Sequence, residues 1–188
     1  MLRLSAVFVL TFALLTVGCG SPSAPHLPPA AANVARVTLD IKSWDETLAL
    51  VAEHKGKVVV LDLWSTACDP CMEEFPHLVA LHKQHGDKIV CMSASCDYAG
   101  IKSRPPETYR DQVLEFLTKQ NATIQNVLLN VDSDKLFVAI DLASIPAVYV
   151  FGTDGTVAKR FDNDNAQPGD HFTYAKDIVP FVEKLLAQ

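Results

Sequence analysis

The sequence predicts an α/β domain with a mixed central sheet covered by helices on both faces. Three observations carry this reading. Val58–Leu63 is a continuous apolar run of the kind found in parallel strands buried on both faces, and Lys88–Ser95 reads as a second buried strand. Helical segments lie between and after them, giving an order that begins β-α-β-α-β. Further on, Ala147–Phe151 and Val157–Phe161 flank Thr153-Asp154-Gly155-Thr156, a turn signal that joins antiparallel strands. A chain of 188 residues has room for one well-buried domain and little more.

The elements follow in order. Arg3 and the apolar stretch Ala6–Val17 read as a secretory signal over residues 1–18. Residues 19–35 are rich in Pro, Ala and Ser and form an extended tether. The folded domain is expected over 36–188. Val37–Ile41 alternates apolar and polar residues as a short strand does. Ser43 with Glu46 is a capping box that starts a helix, Trp44 anchors that helix to the core, and Gly56 ends it. A helix from Cys68 to about Gln84 contains Pro76, which removes an N–H from its interior. After the polar stretch 97–107, which holds Pro105-Pro106, come a helix over Thr108–Gln120, a strand over Val127–Val131 and a short helix over Ser133–Ile140. A polar loop over 162–170 leads to a final helix over Tyr174–Ala187.

Composition narrows the function. A hydrophobic fraction of 49% and a charged fraction of 20% are globular values. The formal net charge is -6 and there is no basic patch, so the chain lacks the cations that binding nucleic acid requires. Five cysteines are present. Cys19 stands apart, directly after Gly18, and this junction resembles the lipobox of bacterial lipoproteins, although Thr16 stands where leucine is usual. The resemblance implies that Cys19 is lipidated, becomes the mature N-terminus and holds the protein to a membrane.

Cys68-Asp69-Pro70-Cys71 carries the chemistry. Two thiols at this spacing can close a small disulfide ring. A helix starting there places the first thiol over unpaired N–H groups and the positive end of the helix dipole, which makes it a nucleophile. Strand, Cys-x-x-Cys, then helix is the layout of a thiol–disulfide catalyst. Cys91 and Cys96 are roughly 16 Å apart on an extended strand at about 3.3 Å per residue, too far for a disulfide. Their side chains are expected on opposite faces. His54, His77, His82, His85 and His171 read as solvated side chains, with no carboxylate or thiol completing a set at metal-ligand spacing.

Residues 36–188 resemble the thioredoxin superfamily, and within it the extracytoplasmic, membrane-tethered thiol–disulfide oxidoreductases of the TlpA/ResA type. The resemblance rests on Asp62 six residues before Cys68, Trp64 two residues after Asp62, Pro76 eight residues past Cys68, and Ile145-Pro146 just before the hairpin. The segment from about Cys96 to Val131 matches that group's inserted helix and strand. The resemblance therefore implies a thioredoxin-like fold with an extra N-terminal strand and an inserted helix–strand unit. It implies that Cys68 is the nucleophile, that Cys71 resolves the mixed disulfide and that Asp62 takes the Cys71 proton. It also implies that Asp69, Pro70, Ile145 and Pro146 face the substrate, with Pro146 in the cis form. No cofactor and no metal are called for. The implied partners are disulfides of secreted proteins, among which apocytochrome c serves some relatives, and a membrane electron donor. Ala67 departs from the bulky residue common before the first cysteine, and Asp69-Pro70 replaces Gly-Pro. The Asp69 charge, with Glu73 and Glu74, opposes a second negative charge on Cys68, which favours a reductant or mild exchanger. A metal-binding chaperone of the same fold, delivering copper through the thiol pair and a distant histidine such as His171, is the competing expectation.

Overall fold

The computed structural model describes residues 36–167 and 169–187. The signal over 1–18, Cys19 and the tether over 19–35 lie outside the described residues. Strand β1 (Asp40–Lys42) is followed by α1 (Trp44–Glu53), β2 (Val58–Trp64), α2 (Asp69–His85) and β3 (Ile89–Ser95). A 3-10 turn over Pro106–Tyr109 leads into α3 (Arg110–Lys119), then β4 (Gln125–Leu129), α4 (Ser133–Ala139), β5 (Ala147–Phe151) and β6 (Val157–Phe161). The last helical segment is a π-helical turn over Tyr174–Ile178 that continues into α5 (Val179–Leu186).

The six strands form one mixed sheet in the order β1-β4-β3-β2-β5-β6. The pairs β1·β4, β4·β3 and β3·β2 are parallel, while β2·β5 and β5·β6 are antiparallel. The predicted fold class is the observed one. Strand β2 pairs on both edges and is buried along all seven residues, which explains its unbroken apolar sequence. Alternate β2 residues enter two cores. Val58, Val60 and Trp64 meet α2, α3 and α5 through Phe75, Leu78, Val113, Leu117, Ile178 and Val182. Val59, Leu61 and Leu63 meet α1 and α4 through Val51 and Leu136.

Local rules explain the ends of the elements. Ser43 accepts from the Glu46 N–H, and Glu46 accepts from the Ser43 N–H at 2.7 Å, so the capping box is present. Gly155 turns the β5–β6 hairpin at a positive φ of 82°. Several bounds differ from the sequence expectation. Strand β1 begins only at Asp40, because its ladder with β4 starts at the Asp40–Val127 pair. The final helix opens as a π turn, since Pro180 has no N–H to donate to the Lys176 carbonyl. His54, His82 and His85 are half-buried rather than fully solvated, and His54 meets the Gln125 side chain at 3.3 Å.

The aromatic cluster behind the cysteines joins these layers. The Phe75 ring lies 4.8 Å from Trp64 and 5.2 Å from Phe116, centroid to centroid. Phe75→Ala is expected to lower the unfolding free energy by about 3–5 kcal/mol, and Ser43→Ala by about 1 kcal/mol, both read by urea denaturation.

Candidate redox site

The site is built at the end of β2. The chain leaves the sheet at Trp64, turns through Ser65–Ala67 and enters α2, with Cys68 as the N-cap residue and Pro70 in the first turn. Pro70 suits that place because its missing N–H would have had no helical partner. Cys68 and Cys71 are joined by a disulfide. Cys68 is partly exposed and Cys71 is 3% exposed, so the two sulfurs differ in access. No side chain caps the first turn of α2, which leaves its N–H groups directed at the Cys68 end.

The turn before Cys68 is clamped from the neighbouring strand. The Asp97 carboxylate, just past the end of β3, accepts the Thr66 N–H at 3.1 Å, the Thr66 hydroxyl and the Ser95 hydroxyl. Gln112 on α3 donates to the Thr66 hydroxyl at 2.7 Å. Ser65 adds bonds from the Ala67 N–H to its hydroxyl and from the Cys68 N–H to its carbonyl. These contacts fix where α2 begins, and with it where Cys68 sits.

Beneath the helix lies Asp62. By strand alternation it faces the core that holds Cys71, Phe75, Cys91 and Tyr174, and it is 3% exposed. Its carboxylate accepts from the Tyr174 hydroxyl at 2.6 Å. Burial pushes the Asp62 carboxyl up to about 7; the Tyr174 hydrogen bond opposes that shift and the Glu74 charge adds to it. A carboxyl that titrates near neutrality can exchange a proton with a thiol at working pH.

On the far side, the Ile145–Pro146 peptide is cis and leads into β5. Two grooves meet here. One, of about 440 Å³, is lined by Ala67, Cys68, Cys96, Asp97, Phe137 and Ile145. The other, also about 440 Å³, is lined by Pro70, Glu73, Glu74, Ile145, Pro146 and Phe172, with His171. Ile145 lines both. Asp69 is exposed on the ring between the cysteines. The loop before Pro146 is held by Arg160, which donates to the carbonyls of Ile140 and Asp141 and pairs with Asp162 and Asp164, while Asp164 accepts the Ala143 N–H.

The structure thus brings Cys68, Pro70, Ile145 and Pro146 together around the two grooves, joins Cys71 to Cys68, turns Asp62 to the core that holds Cys71, and leaves Asp69 at the rim. Cys91 and Cys96 are free thiols in opposite cores. Burial pushes both thiols up, so they stay protonated. Among the described residues no three His, Cys, Asp or Glu side chains come close enough to share a metal ion.

The model of the family described as Redoxin matches residues 29–178. This chain belongs to the Redoxin family. Its relatives include the thiol-disulfide oxidoreductase ResA of Bacillus subtilis, 25% identical over 113 residues, which are 58% of this chain and 55% of ResA. The thiol:disulfide interchange protein CycY of Rhizobium leguminosarum is 25% identical over 140 residues, 73% of this chain and 64% of CycY. The chain thus spans less than two thirds of the length of each of these relatives. Among solved structures, the exposed lipoprotein thioredoxin of Streptococcus pneumoniae aligns with a TM-score of 0.52 at 21% identity, covering 72% of this chain and 90% of that one. That likeness shows the thioredoxin-like fold.

The buried Asp62 carboxyl ties stability to pH. Its proton is held more tightly in the folded chain, at about 7, than at the ordinary 3.8 of an unfolded one. The resulting stabilisation is complete below about pH 4 and is lost as pH rises through 7. Asp62→Asn keeps an acceptor for Tyr174 and removes the ionisation. In the oxidised protein it is expected to lack the wild type's loss of stability as pH rises from 4 through 7, and to exceed the wild type above pH 7 by roughly 3–4 kcal/mol, measured by urea denaturation across pH.

Proposed function

We propose that this protein is an extracytoplasmic thiol–disulfide oxidoreductase that reduces or exchanges disulfides of secreted proteins through Cys68 and Cys71. The observation that carries the reading is the Cys68–Cys71 disulfide at the start of α2, with its more exposed sulfur beside Ile145–Pro146 and the Asp62 carboxyl on the face below. The relatives named as thiol–disulfide oxidoreductases and interchange proteins support it.

The cycle starts from the dithiol. The Cys68 thiolate attacks one sulfur of the substrate disulfide; that S–S bond breaks, the departing substrate sulfur takes a proton, and a mixed disulfide remains. Asp62 accepts the Cys71 proton, and the Cys71 thiolate attacks the Cys68 sulfur. The second substrate sulfur leaves as a thiolate and takes up the proton that Asp62 received, and Cys68–Cys71 is oxidised. Two electrons and two protons have moved to the substrate. An extended substrate segment crosses the meeting point of the two grooves at Ile145, pairing by strand-like hydrogen bonds beside Pro146 and touching Asp69 and Pro70. A membrane electron donor restores the dithiol, and apocytochrome c is one client of this chemical kind. On this reading the signal over 1–18 exports the chain, and lipidation of Cys19 tethers the domain over 36–188 to a membrane outside the cytoplasm. That the pneumococcal neighbour is an exposed lipoprotein agrees with this placement.

The anionic ring residue Asp69, with Glu73 and Glu74 following, disfavours accumulation of thiolate on Cys68. The reduction potential is expected in the reducing to mild range of about -180 to -270 mV, measured by glutathione equilibration. A value near -120 mV, that of a strong oxidant, would contradict the direction. In insulin reduction, Cys68→Ser is expected to abolish turnover, and Cys71→Ser to accumulate protein disulfide-linked to Cys68 when expressed in its host. If the wild type reduces no insulin and Cys71→Ser traps no partner, the catalytic reading is wrong.

A further inference from the structure

We propose that Tyr174 is a positioning residue of the dithiol reaction, the hydrogen-bond donor that holds the Asp62 carboxylate in its ionised, proton-accepting form. The inference rests on the proposed role of Asp62 in accepting the Cys71 proton.

The surroundings of Asp62 set the problem. Glu74 faces it from α2 and the Cys91 thiol from β3, while Cys96 lies in the opposite core. Its β5 neighbour in the sheet is Val148, which is apolar. The Cys68–Cys71 pair lies at the start of α2. None of these groups is a cation, and none donates a hydrogen bond to the carboxyl. Tyr174 is its one side-chain hydrogen-bond partner among the described residues, at 2.6 Å, and Tyr174 is itself 1% exposed. A buried carboxylate without a cation depends on donors to persist. The phenol is suited to the task because burial and the neighbouring carboxylate push it well above its ordinary value, so it keeps its proton and always donates.

Tyr174 is also fixed independently of Asp62. Its N–H donates to Glu74 on α2 at 2.9 Å. Thr173 caps the π turn by accepting the Lys176 N–H, and its own N–H donates to Asp177. His77, two turns along α2 from Cys71, stacks on the Tyr174 ring at 6.3 Å. The helix that carries the cysteines therefore also holds the group that orients Asp62. During turnover no proton leaves Tyr174. The Cys71 S–H bond breaks, its proton joins Asp62, and the phenol remains bound to the carboxyl before and after.

The test is a carboxyl titration of Asp62 by carbon NMR in the wild type and in Tyr174→Phe, in the reduced and oxidised protein and with no substrate present. Loss of the donor is expected to raise the Asp62 midpoint by about one pH unit or more. The acid limb of the insulin-reduction profile is expected to move with it, slowing turnover about fivefold at pH 7, and Tyr174→Phe in an Asp62→Asn background is expected to move no limb further. A fluorinated tyrosine at position 174 keeps the shape and strengthens the donor, so it is expected to lower the midpoint. This second measurement decides the matter if Tyr174→Phe folds poorly. A midpoint unmoved in both proteins overturns the inference. A midpoint that moves in a protein that reduces no disulfide instead removes the catalytic reading and leaves the hydrogen-bond role standing.

Discussion

The burial of β2 on both faces and both edges is the constraint on which the other parts depend. A strand so enclosed has no solvent side, so its alternation divides two cores instead of separating core from water. An acid placed in such a strand cannot reach solvent, and Asp62 is held away from its ordinary ionisation by its address in the sheet. The same strand sets the level at which the chain must turn into α2. The acid and the ring are thus two ends of one rigid segment, six residues apart.

Rigidity at the other end comes from polar contacts. The turn at Ser65–Ala67 has no core of its own and is held by Asp97, Ser95 and Gln112, which come from the end of β3 and from α3. Across the groove, the loop before Pro146 has the same kind of support from Arg160 and Asp164. A reaction between sulfurs needs the groups aligned, and here the two loops that flank the ring are tied to separate parts of one sheet.

Much of this was legible in the sequence. The unbroken apolar run of β2, the Ser43–Glu46 box and the Gly155 hairpin are local patterns with local causes, and each lies where its residues say. The thiol pair, Asp62, Pro76 and Pro146 were legible through spacing. Tyr174 was not. Its partner is 112 residues away, and no periodicity connects the first turn of a terminal helix to the middle of a strand. Only Thr173 and Asp177 hint at it, since a residue able to cap followed by an acid four positions on marks where that helix opens. Arg160 was equally hidden, because in an exposed edge strand it reads as a solvated cation until its carbonyl acceptors come into view. The half-buried His82 and His85 were misplaced because helical spacing alone does not say which loops fold over a helix end.

The separation of Cys91 from Cys96 has a consequence for the fidelity of assembly. Four cysteines in one domain allow three complete pairings, and an oxidising compartment would populate wrong ones if the thiols could meet. Here the sheet itself stands between the two spare sulfurs, and each is kept as an uncharged thiol in its own core. A Cys91–Cys96 disulfide would require opening the sheet, so topology forbids that pairing.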